Sequence, residues 1–282
     1  MRQVRIVTDS TSDIPATLRE ELGIAVVPLT VFFGEIAYRD QIDLDGDQFF
    51  RLLAKSGELP KTSQPSPALF EETYRRLAAD GSEIVSIHLS ARLSGTVHAA
   101  QIAAETLRGQ AIVEVLDARS ASIGLGMIVM AAARLAKQGA GVTEIASFVR
   151  RLSANVHILF FVDTLEYLQK GGRIGRANAL LGALLNIRPV LKLEDGEIHP
   201  VEKVRTRGKA VERLVEFVEL FPTIDDLAVI FSHESADLET LLRRLEPLYP
   251  RDRIILGKYG PVVGTHAGPN ALGVAVSQGV SG

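Results

Sequence analysis

Hydrophobic and polar positions change period repeatedly along the first half of the chain. Short runs rich in Val and Ile have the composition of β-strands, and the segments between them have a helical pattern. The predicted strands are VRIVTDS, IAVVPLTVFF, EIVSIHLS and IVEVLDARS. The predicted helices are IPATLREEL, DGDQFFRLLAKS, SPALFEETYRRLAADG, GTVHAAQIAAETL, GLGMIVMAAARLAKQG and VTEIASFVRRLSANV. This order predicts parallel βαβ units with right-handed crossovers.

Capping residues predict where several of these helices begin. Asp13 is a candidate N-cap with Pro15 in the first turn, and Ser66 is a candidate N-cap for the third helix. Asp45 or Asp47 opens the second helix. Side-chain oxygens at these positions accept hydrogen bonds from backbone N–H groups that the helix itself leaves unpaired.

The second half of the chain has a different order of elements. RPVLKLEDGEIHPVEKV predicts two strands joined by a turn at Asp195-Gly196. A helix, a strand, a helix and a strand follow in GKAVERLVEFVELF, DLAVIFSH, SADLETLLRRLEPLY and RIILGKYG. We therefore predict an α/β fold with an N-terminal α/β domain over residues 1–157 and a C-terminal α/β domain with a mixed sheet over residues 158–282.

Composition narrows the classes of function. The 282 residues are 46% hydrophobic and 23% charged with a formal net charge of −3, so we expect no nucleic-acid partner. The chain has no cysteine, which excludes disulfides, thiol catalysis and thiolate metal sites. The polar N-terminus and the short apolar stretches predict a cytoplasmic protein without stable membrane insertion.

Common catalytic motifs are absent from the sequence. It contains no GxxxxGK[ST] phosphate loop, no GxSxG nucleophile elbow and no HExxH zinc motif. The six histidines are scattered rather than paired at ligand spacing. We therefore expect no catalytic residue, no metal and no cofactor.

Polar loops follow three of the predicted strands, at the edge where ligands gather in parallel sheets. Ser94 and Gly95 begin a predicted helix, whose free N–H groups at Gly95, Thr96 and Val97 favour an anion. A carboxylate or a phosphate suits this place. The alternative is that Ser94 serves only as a helix cap.

Two further loops contain candidate binding residues. In LPKTSQPSPALF, two prolines stiffen a polar loop in which the Thr62 hydroxyl has no local partner. The alternative is a rigid connector whose Ser66 caps the next helix. In GKYGPVVGTHAGPNALG, glycines and prolines indicate a tight, fixed loop around His266. The alternative there is a structural histidine.

An ordered set of short motifs resembles the DegV family from Asp9 to Gly273. These motifs are TDSTSDIP, VPL, KTSQPSP, LSGT, FFVDTLEYLQKGGRIG, RPVLKL and GPVVGTHAGPNALG. The chain is similar to the fatty-acid-binding subunits of bacterial fatty acid kinases. The resemblance implies a two-domain fold, with a three-layer α/β/α N-terminal domain and a long-chain fatty acid buried in a tunnel between the domains.

The resemblance also implies roles for individual residues. Thr62 and Ser94 would hold the fatty-acid carboxylate, and His266 would join their polar network. A separate kinase would convert the presented carboxylate to an acyl phosphate, so the protein itself would not be an enzyme. We expect Arg173 and Arg205 to dock this kinase, because arginine recognises carboxylates at interfaces. The alternative is that both are solvated surface charges.

The sequence departs from the family pattern at four positions. Val97 and His98 follow SGT where Tyr and Gln are usual, and Asn270 and Gln41 stand where glycine is common. Val97 puts the shape of the pocket in question, and with it the preferred acyl chain. It affects the expectation that a fatty acid binds much less.

Other interpretations remain open at this point. The fold resembles that of the dihydroxyacetone-binding kinase subunit, so His266 could instead hold a small carbonyl compound or take part in phosphotransfer. A lipid-sensing role would require the same ligand as a carrier role. GLGMIVMAAARL and LLGALLNI offer apolar side chains for a tunnel, although each stripe is also typical of ordinary core packing.

Overall fold

The computed structural model describes residues 3–181 and 187–279. The strands in these ranges are β1 (Val4–Asp9), β2 (Ala25–Val27), β3 (Thr30–Phe33), β4 (Ile36–Arg39), β5 (Lys61–Ser63), β6 (Glu83–His88), β7 (Val113–Asp117), β8 (Val156–Phe161), β9 (Arg188–Glu194), β10 (Glu197–Val204), β11 (Asp226–Phe231), β12 (Ile255–Lys258) and β13 (Leu272–Ser277). The α-helices are α1 (Ala16–Leu22), α2 (Gly46–Lys55), α3 (Pro67–Ala78), α4 (Thr96–Thr106), α5 (Ser122–Lys137), α6 (Val142–Ser153), α7 (Glu166–Lys170), α8 (Arg207–Glu219), α9 (Ala236–Leu245) and α10 (Pro261–Ala267).

The first sheet has the order β2-β1-β6-β7, and every pairing in it is parallel. Helices α3 and α4 cover one face through a core of small and aromatic side chains. Helices α1, α5 and α6 cover the other face. The predicted three-layer α/β/α arrangement with a parallel sheet is confirmed.

The second sheet has the order β10-β9-β8-β13-β11-β12 and is mixed, as predicted. Its β11–β12 pair is parallel, and its other pairs are antiparallel. The predicted hairpin turn is present: Asp195 and Gly196 have φ of 50° and 77°, the left-handed values that such a turn requires. Helices α8 and α9 cover one face of this sheet.

A third sheet, β4-β3-β5, was not predicted. The segment IAVVPLTVFF forms two strands instead of one. β2 ends at Val27 and pairs with β1, whereas β3 begins at Thr30 and pairs with β4 and β5. Pro28 lies between them and cannot donate to a ladder, which accounts for the break. β5 is only three residues long, too short for a periodicity signal.

Helix α5 packs against both larger sheets. It contacts β1 on one side and β8, β11 and β13 on the other, so one hydrophobic core runs from the parallel sheet to the mixed sheet. The predicted boundary between units 1–157 and 158–282 falls inside β8 and stays a prediction.

Two of the three predicted caps are confirmed. Asp45 accepts a hydrogen bond from Gln48 N in a reciprocal capping box, and Ser66 caps α3. The Asp13 prediction is wrong. Helix α1 follows Pro15 without a side-chain cap. Asp13 turns inward because distant groups offer its carboxylate better partners, as described below.

The hairpin turn between β9 and β10 reaches across to the first sheet. The Ser90 hydroxyl donates to Gly196 O at 2.7 Å, and a Cβ at Gly196 would stand 2.2 Å from Ser90 Oγ. Gly34 has the same left-handed backbone (φ 59°) but has open space around it.

We therefore predict that Gly196→Ala destabilises the fold more than Gly34→Ala does. Each change costs about 1 kcal/mol of left-handed strain, and the first also breaks a buried hydrogen bond worth about 1 kcal/mol. Urea denaturation of both variants gives the two free energies of unfolding. Equal losses would show that the contact between the turn and Ser90 contributes nothing.

Candidate functional site

A cavity of about 380 Å³ lies where the parallel sheet, the small sheet and α10 meet the inner face of the mixed sheet. Its size falls within the range of about 300–1,000 Å³ typical of small-molecule sites. Most of its lining is apolar, and the mixed sheet contributes Ile158, Phe160, Leu193, Ile198, Ile230 and Leu272 to it.

Small residues near and within β13 explain why this space stays open. Gly273 stands opposite Phe160 and Ile230, and Ala275 stands opposite Ile158. Cross-strand neighbours share a face, so the centre of the sheet carries little side-chain volume there. A Cβ at Gly273 would lie 2.6 Å from Phe160 Cβ, so no larger residue fits without displacing the lining.

Four polar side chains line one end of the cavity: Thr62, Ser94, Arg173 and His266. Thr62 Oγ1 lies 2.9 Å from His266 Nε2, which joins β5 to α10 across 204 residues of sequence. Ser94 Oγ lies 2.9 Å from Thr96 Oγ1. All four lining residues are half-buried, so this end of the cavity approaches the surface.

His266 lies in the short helix α10 instead of a loop, which corrects the loop prediction. Burial, together with the positive charge of Arg173, lowers the pKa of His266 from 6.5 to about 4. The imidazole is therefore neutral at pH 7. Its Nδ1 atom is buried and has no hydrogen-bond partner among the described residues.

The two candidate docking arginines have different surroundings. Arg173 turns inward: its guanidinium donates to Leu93 O at 3.0 Å and to Gly171 O at 2.6 Å, and its side chain lines the cavity. Arg205 is exposed and precedes α8. The structure therefore places Arg173 at the polar end of the cavity and Arg205 on the surface.

The start of α4 does not line the cavity. Thr96 is fully buried, and its N–H points to Ser94 Oγ at 3.4 Å. Gly95 is exposed, and its missing Cβ makes room for Gln64, whose Oε1 would lie 2.1 Å from it. The close approach expected at Gly95 is thus made by a neighbouring side chain. Ser63 and Gln64, which sequence reasoning passed over, line the cavity mouth instead.

The two apolar stripes that were expected to line a tunnel are not found along the cavity wall in the described residues. The side chains of GLGMIVMAAARL pack into the core around α5, and the cavity meets this helix at its first residue, Ser122. Of LLGALLNI, residues 182–186 lie outside the described residues. The mixed sheet supplies apolar lining instead, through residues such as Ile158, Phe160 and Ile230.

Gln41 and Asn270, which stand where glycine is common in the family, both adopt a backbone conformation that favours glycine. Both have left-handed φ, 58° and 64°, a region that glycine adopts most easily. Gln41 donates to Ser10 O and to the Asp13 carboxylate, and Asn270 donates to Asp163. These hydrogen bonds offset the strain of a side chain there. Val97 is buried and does not line the cavity.

A fully buried network beneath the parallel sheet resembles a hydrolase triad. His88 Nδ1 lies 3.0 Å from Asp9 Oδ2, and His88 Nε2 lies 2.7 Å from Ser86 Oγ. Ser86 also accepts from Tyr74, and none of Asp9, Ser86 and His88 lines the cavity. A nucleophile sealed from substrate cannot react, so this network is structural.

Residues 3–181 and 187–279 contain neither a metal-ligand cluster nor a membrane-spanning helix. No cluster of three or more His, Asp or Glu side chains there has the geometry to hold a metal ion. Over the same ranges, every helix is too short or too polar to cross a bilayer.

The parallel sheet, the mixed sheet and the mostly apolar cavity beside them define a class of α/β proteins with two large sheets. Residues 3–279 match the family described as uncharacterised proteins of the DegV family. The chain belongs to the DegV family. A DegV domain-containing protein of Streptomyces coelicolor is 41% identical over 281 residues, which cover 98% of this chain and 99% of the relative.

Solved structures of the family superimpose over nearly the whole chain. A fatty-acid-binding DegV family protein from Thermus thermophilus has a TM-score of 0.90 at 34% identity, covering 98% of this chain and 99% of its own. A stearic acid-binding protein from Eubacterium ventriosum has a TM-score of 0.89 at 25% identity, covering 99% and 98%. Both relatives are described as binding fatty acids.

The lowered pKa of His266 predicts an imidazole that stays neutral far into the acid range. A histidine with a folded pKa below 6.5 favours the unfolded chain once it is protonated. The stability linked to His266 is therefore complete above pH 6.5 and falls as the pH decreases towards about 4.

NMR titration of the imidazole resonances checks this, with His266→Gln to assign the signal. A midpoint near pH 6.5 for His266 would contradict the buried, uncharged state.

Proposed function

We propose that the protein binds one long-chain fatty acid in this cavity, with its carboxylate at the Thr62 end. The observation that carries the proposal is a mostly apolar cavity whose surface-facing end has two hydroxyls, an arginine and a neutral histidine. That pattern matches an amphipathic acid. The fatty acids bound by the two DegV relatives support it.

The head-group contacts follow from the hydrogen-bonding chemistry. When the hydrogen of the neutral imidazole is on Nε2, Nε2–H donates to Thr62 Oγ1, which leaves the one hydroxyl hydrogen of Thr62 free to donate to a ligand. Thr62 and Ser94 then donate to the carboxylate oxygens, and Arg173 supplies the positive charge. Gly95 and Thr96 support the site by placing Gln64 and Ser94. We place the ligand between units 1–157 and 158–282.

The acyl chain supplies most of the binding energy. Each buried methylene contributes about 0.8 kcal/mol, so a dozen contribute on the order of 10 kcal/mol before ordering costs. Micromolar affinity requires only about 8 kcal/mol. The hydroxyls therefore contribute a smaller share of the affinity, and they also orient the ligand.

Loss of both head-group hydroxyls should reduce the fatty acid that copurifies with the protein. We expect Thr62→Val with Ser94→Ala to lower it at least about tenfold, because each hydrogen bond to a charged group is worth about 1.5–3 kcal/mol. Organic extraction and mass spectrometry of the purified variant measure the amount.

The matched control is Thr106→Val with Ser147→Ala, two exposed hydroxyls on α4 and α6. Equal fatty acid content in the two double variants would remove Thr62 and Ser94 from the site. Purified wild-type protein without any fatty acid, which also fails to take up added oleate, would end the proposed function itself.

We further propose that the protein performs no chemistry and presents the carboxylate to a separate cytoplasmic kinase for acyl phosphate formation. The polar end lies close to the surface, where Ser63 and Gln64 are exposed, so a partner can reach the carboxylate without unfolding the protein. Arg205 is the docking residue that this role favours. Arg173 is turned inward and attracts the carboxylate through its positive charge.

Charge reversal at Arg205 should weaken the kinase step without emptying the cavity. We expect Arg205→Glu to slow acyl phosphate formation roughly tenfold, the effect of a contact worth about 1.4 kcal/mol. The assay mixes loaded protein with a fatty acid kinase and ATP. Arg108→Glu, which changes an exposed arginine just beyond α4, is the control. An equal rate for both variants would exclude Arg205 from the interface.

A small-carbonyl ligand on His266 is the second candidate. The geometry favours it less, because His266 Nε2 is engaged by Thr62 and Nδ1 lies against Gly171. A mass increase at His266 after incubation with dihydroxyacetone, in protein that extracts no lipid, would reverse this preference.

A further inference from the structure

The deep part of the cavity has polar groups that a plain acyl chain would not use. Thr11, Ser122 and Tyr259 line it and are almost completely buried, with 1%, 6% and 1% of their surface exposed. In contrast, Ser63 and Gln64 at the mouth are exposed. Hydroxyls therefore occur at both ends of an otherwise apolar cavity.

Thr11 and Ser122 are each tied to a buried carboxylate. The Thr11 hydroxyl donates to Asp9 Oδ1 at 2.5 Å, and the Ser122 hydroxyl donates to Asp13 Oδ2 at 2.6 Å. Neither oxygen accepts a hydrogen bond from any residue in the described ranges. Tyr259 differs, because its hydroxyl donates to Gly268 O and accepts from Ala271 N. Thr11 and Ser122 therefore retain unused hydrogen-bonding capacity beside the cavity.

The carboxylates hold these two hydroxyls firmly in place. Asp9 also accepts from Thr11 N, Leu89 N and His88 Nδ1, and Asp13 also accepts from Gly260 N at 2.9 Å. Burial raises the pKa of the Asp13 carboxyl well above its usual range. When Asp13 is protonated, Ser122 can donate its own hydrogen to the cavity instead. A ligand hydroxyl, which both donates and accepts, pairs with Ser122 in either state.

The helix α10 sets the distance between the two polar regions. Gly260, which precedes α10, binds Asp13 beneath Ser122, and His266 stands at the other end of the helix. Six residues at a rise of 1.5 Å separate these two backbone positions by about 9 Å, so the two polar regions lie several carbon atoms apart along a bound chain. A fatty acid with its carboxylate at Thr62 therefore brings the middle of its chain, not its first carbons, to Thr11 and Ser122.

We propose that the cavity accepts fatty acids carrying a hydroxyl group in mid-chain, and that Thr11 and Ser122 bind this hydroxyl. This rests on the proposed function and names a ligand class for the same cavity. A buried hydroxyl without a partner weakens binding by roughly 5- to 100-fold. The two oxygens remove this penalty, so the hydroxylated acid binds about as well as its unsubstituted counterpart.

Oleate and ricinoleate are suitable probes because they differ by one mid-chain hydroxyl. We expect wild-type protein, stripped of lipid, to bind the two with dissociation constants within about threefold of each other. Ser122→Ala and Thr11→Val should each lower the affinity for ricinoleate relative to oleate by about 3- to 10-fold. Isothermal titration calorimetry measures both ligands on each protein.

Thr265→Val is the matched control. Its hydroxyl is also buried and donates to Pro261 O, but it does not line the cavity, so the ratio of the two affinities should stay at the wild-type value. A ratio that is unchanged in both test variants, or wild-type discrimination against ricinoleate above about fivefold, would overturn the hydroxyl site. Absence of oleate binding would instead overturn the proposed function.

Removing either hydroxyl leaves a buried carboxylate with one hydrogen-bond partner fewer, which can prevent a variant from folding. A second measurement on the wild-type protein therefore tests the proposal independently of the variants. A crystal structure of the wild-type protein with ricinoleate provides it. Ligand oxygen within about 3.2 Å of Thr11 Oγ1 or Ser122 Oγ supports the proposal. A ricinoleate hydroxyl located elsewhere in the cavity or in solvent contradicts it.

Discussion

The hydrogen bond between Thr62 and His266 is the interaction on which the site depends. It joins β5 of the small sheet to α10, at the point where both meet the cavity. Burial together with the charge of Arg173 lowers the pKa of this imidazole to about 4, so the histidine in this bond is neutral at pH 7. The same arginine would attract a carboxylate. One electrostatic arrangement thus keeps the histidine uncharged and makes the end of the cavity suitable for an acid.

The cavity itself depends on missing side-chain volume at the centre of the mixed sheet. Gly273 and Ala275 of β13 face inward, whereas Val274 and Val276 face the core under α8 and α9. Larger side chains at the two inward positions would fill the space and give an ordinary sheet-on-helix core. The two faces of the mixed sheet therefore have different roles. The face under α8 and α9 is packed and stabilises the fold, whereas the opposite face borders the cavity.

Local signals in the sequence were sufficient for the features that depend on near neighbours. The Asp45 and Ser66 caps and the Asp195-Gly196 turn are short-range chemistry, and the order of strands and helices predicted both large sheets. Asp13 shows the limit, because Ser122 and Gly260, its partners, lie 109 and 247 residues away. The cavity wall did leave a signal, the alternation of small and large residues in ALGVAVS, which can be recognised only once β13 is known to be central. Similarly, Arg173 could not be distinguished from a surface charge before its backbone acceptors were known.

The orientation of a bound fatty acid tests the central claim most directly. A crystal structure of the protein with a fatty acid brominated at its terminal carbon locates both ends of the ligand, because bromine gives an anomalous signal. The account predicts carboxylate density within hydrogen-bonding distance of Thr62 and Ser94, and bromine among the apolar side chains of the mixed sheet, near Ile158 and Ile230. Bromine at the Thr62–His266 end, or a cavity that stays empty at saturating ligand, would contradict it.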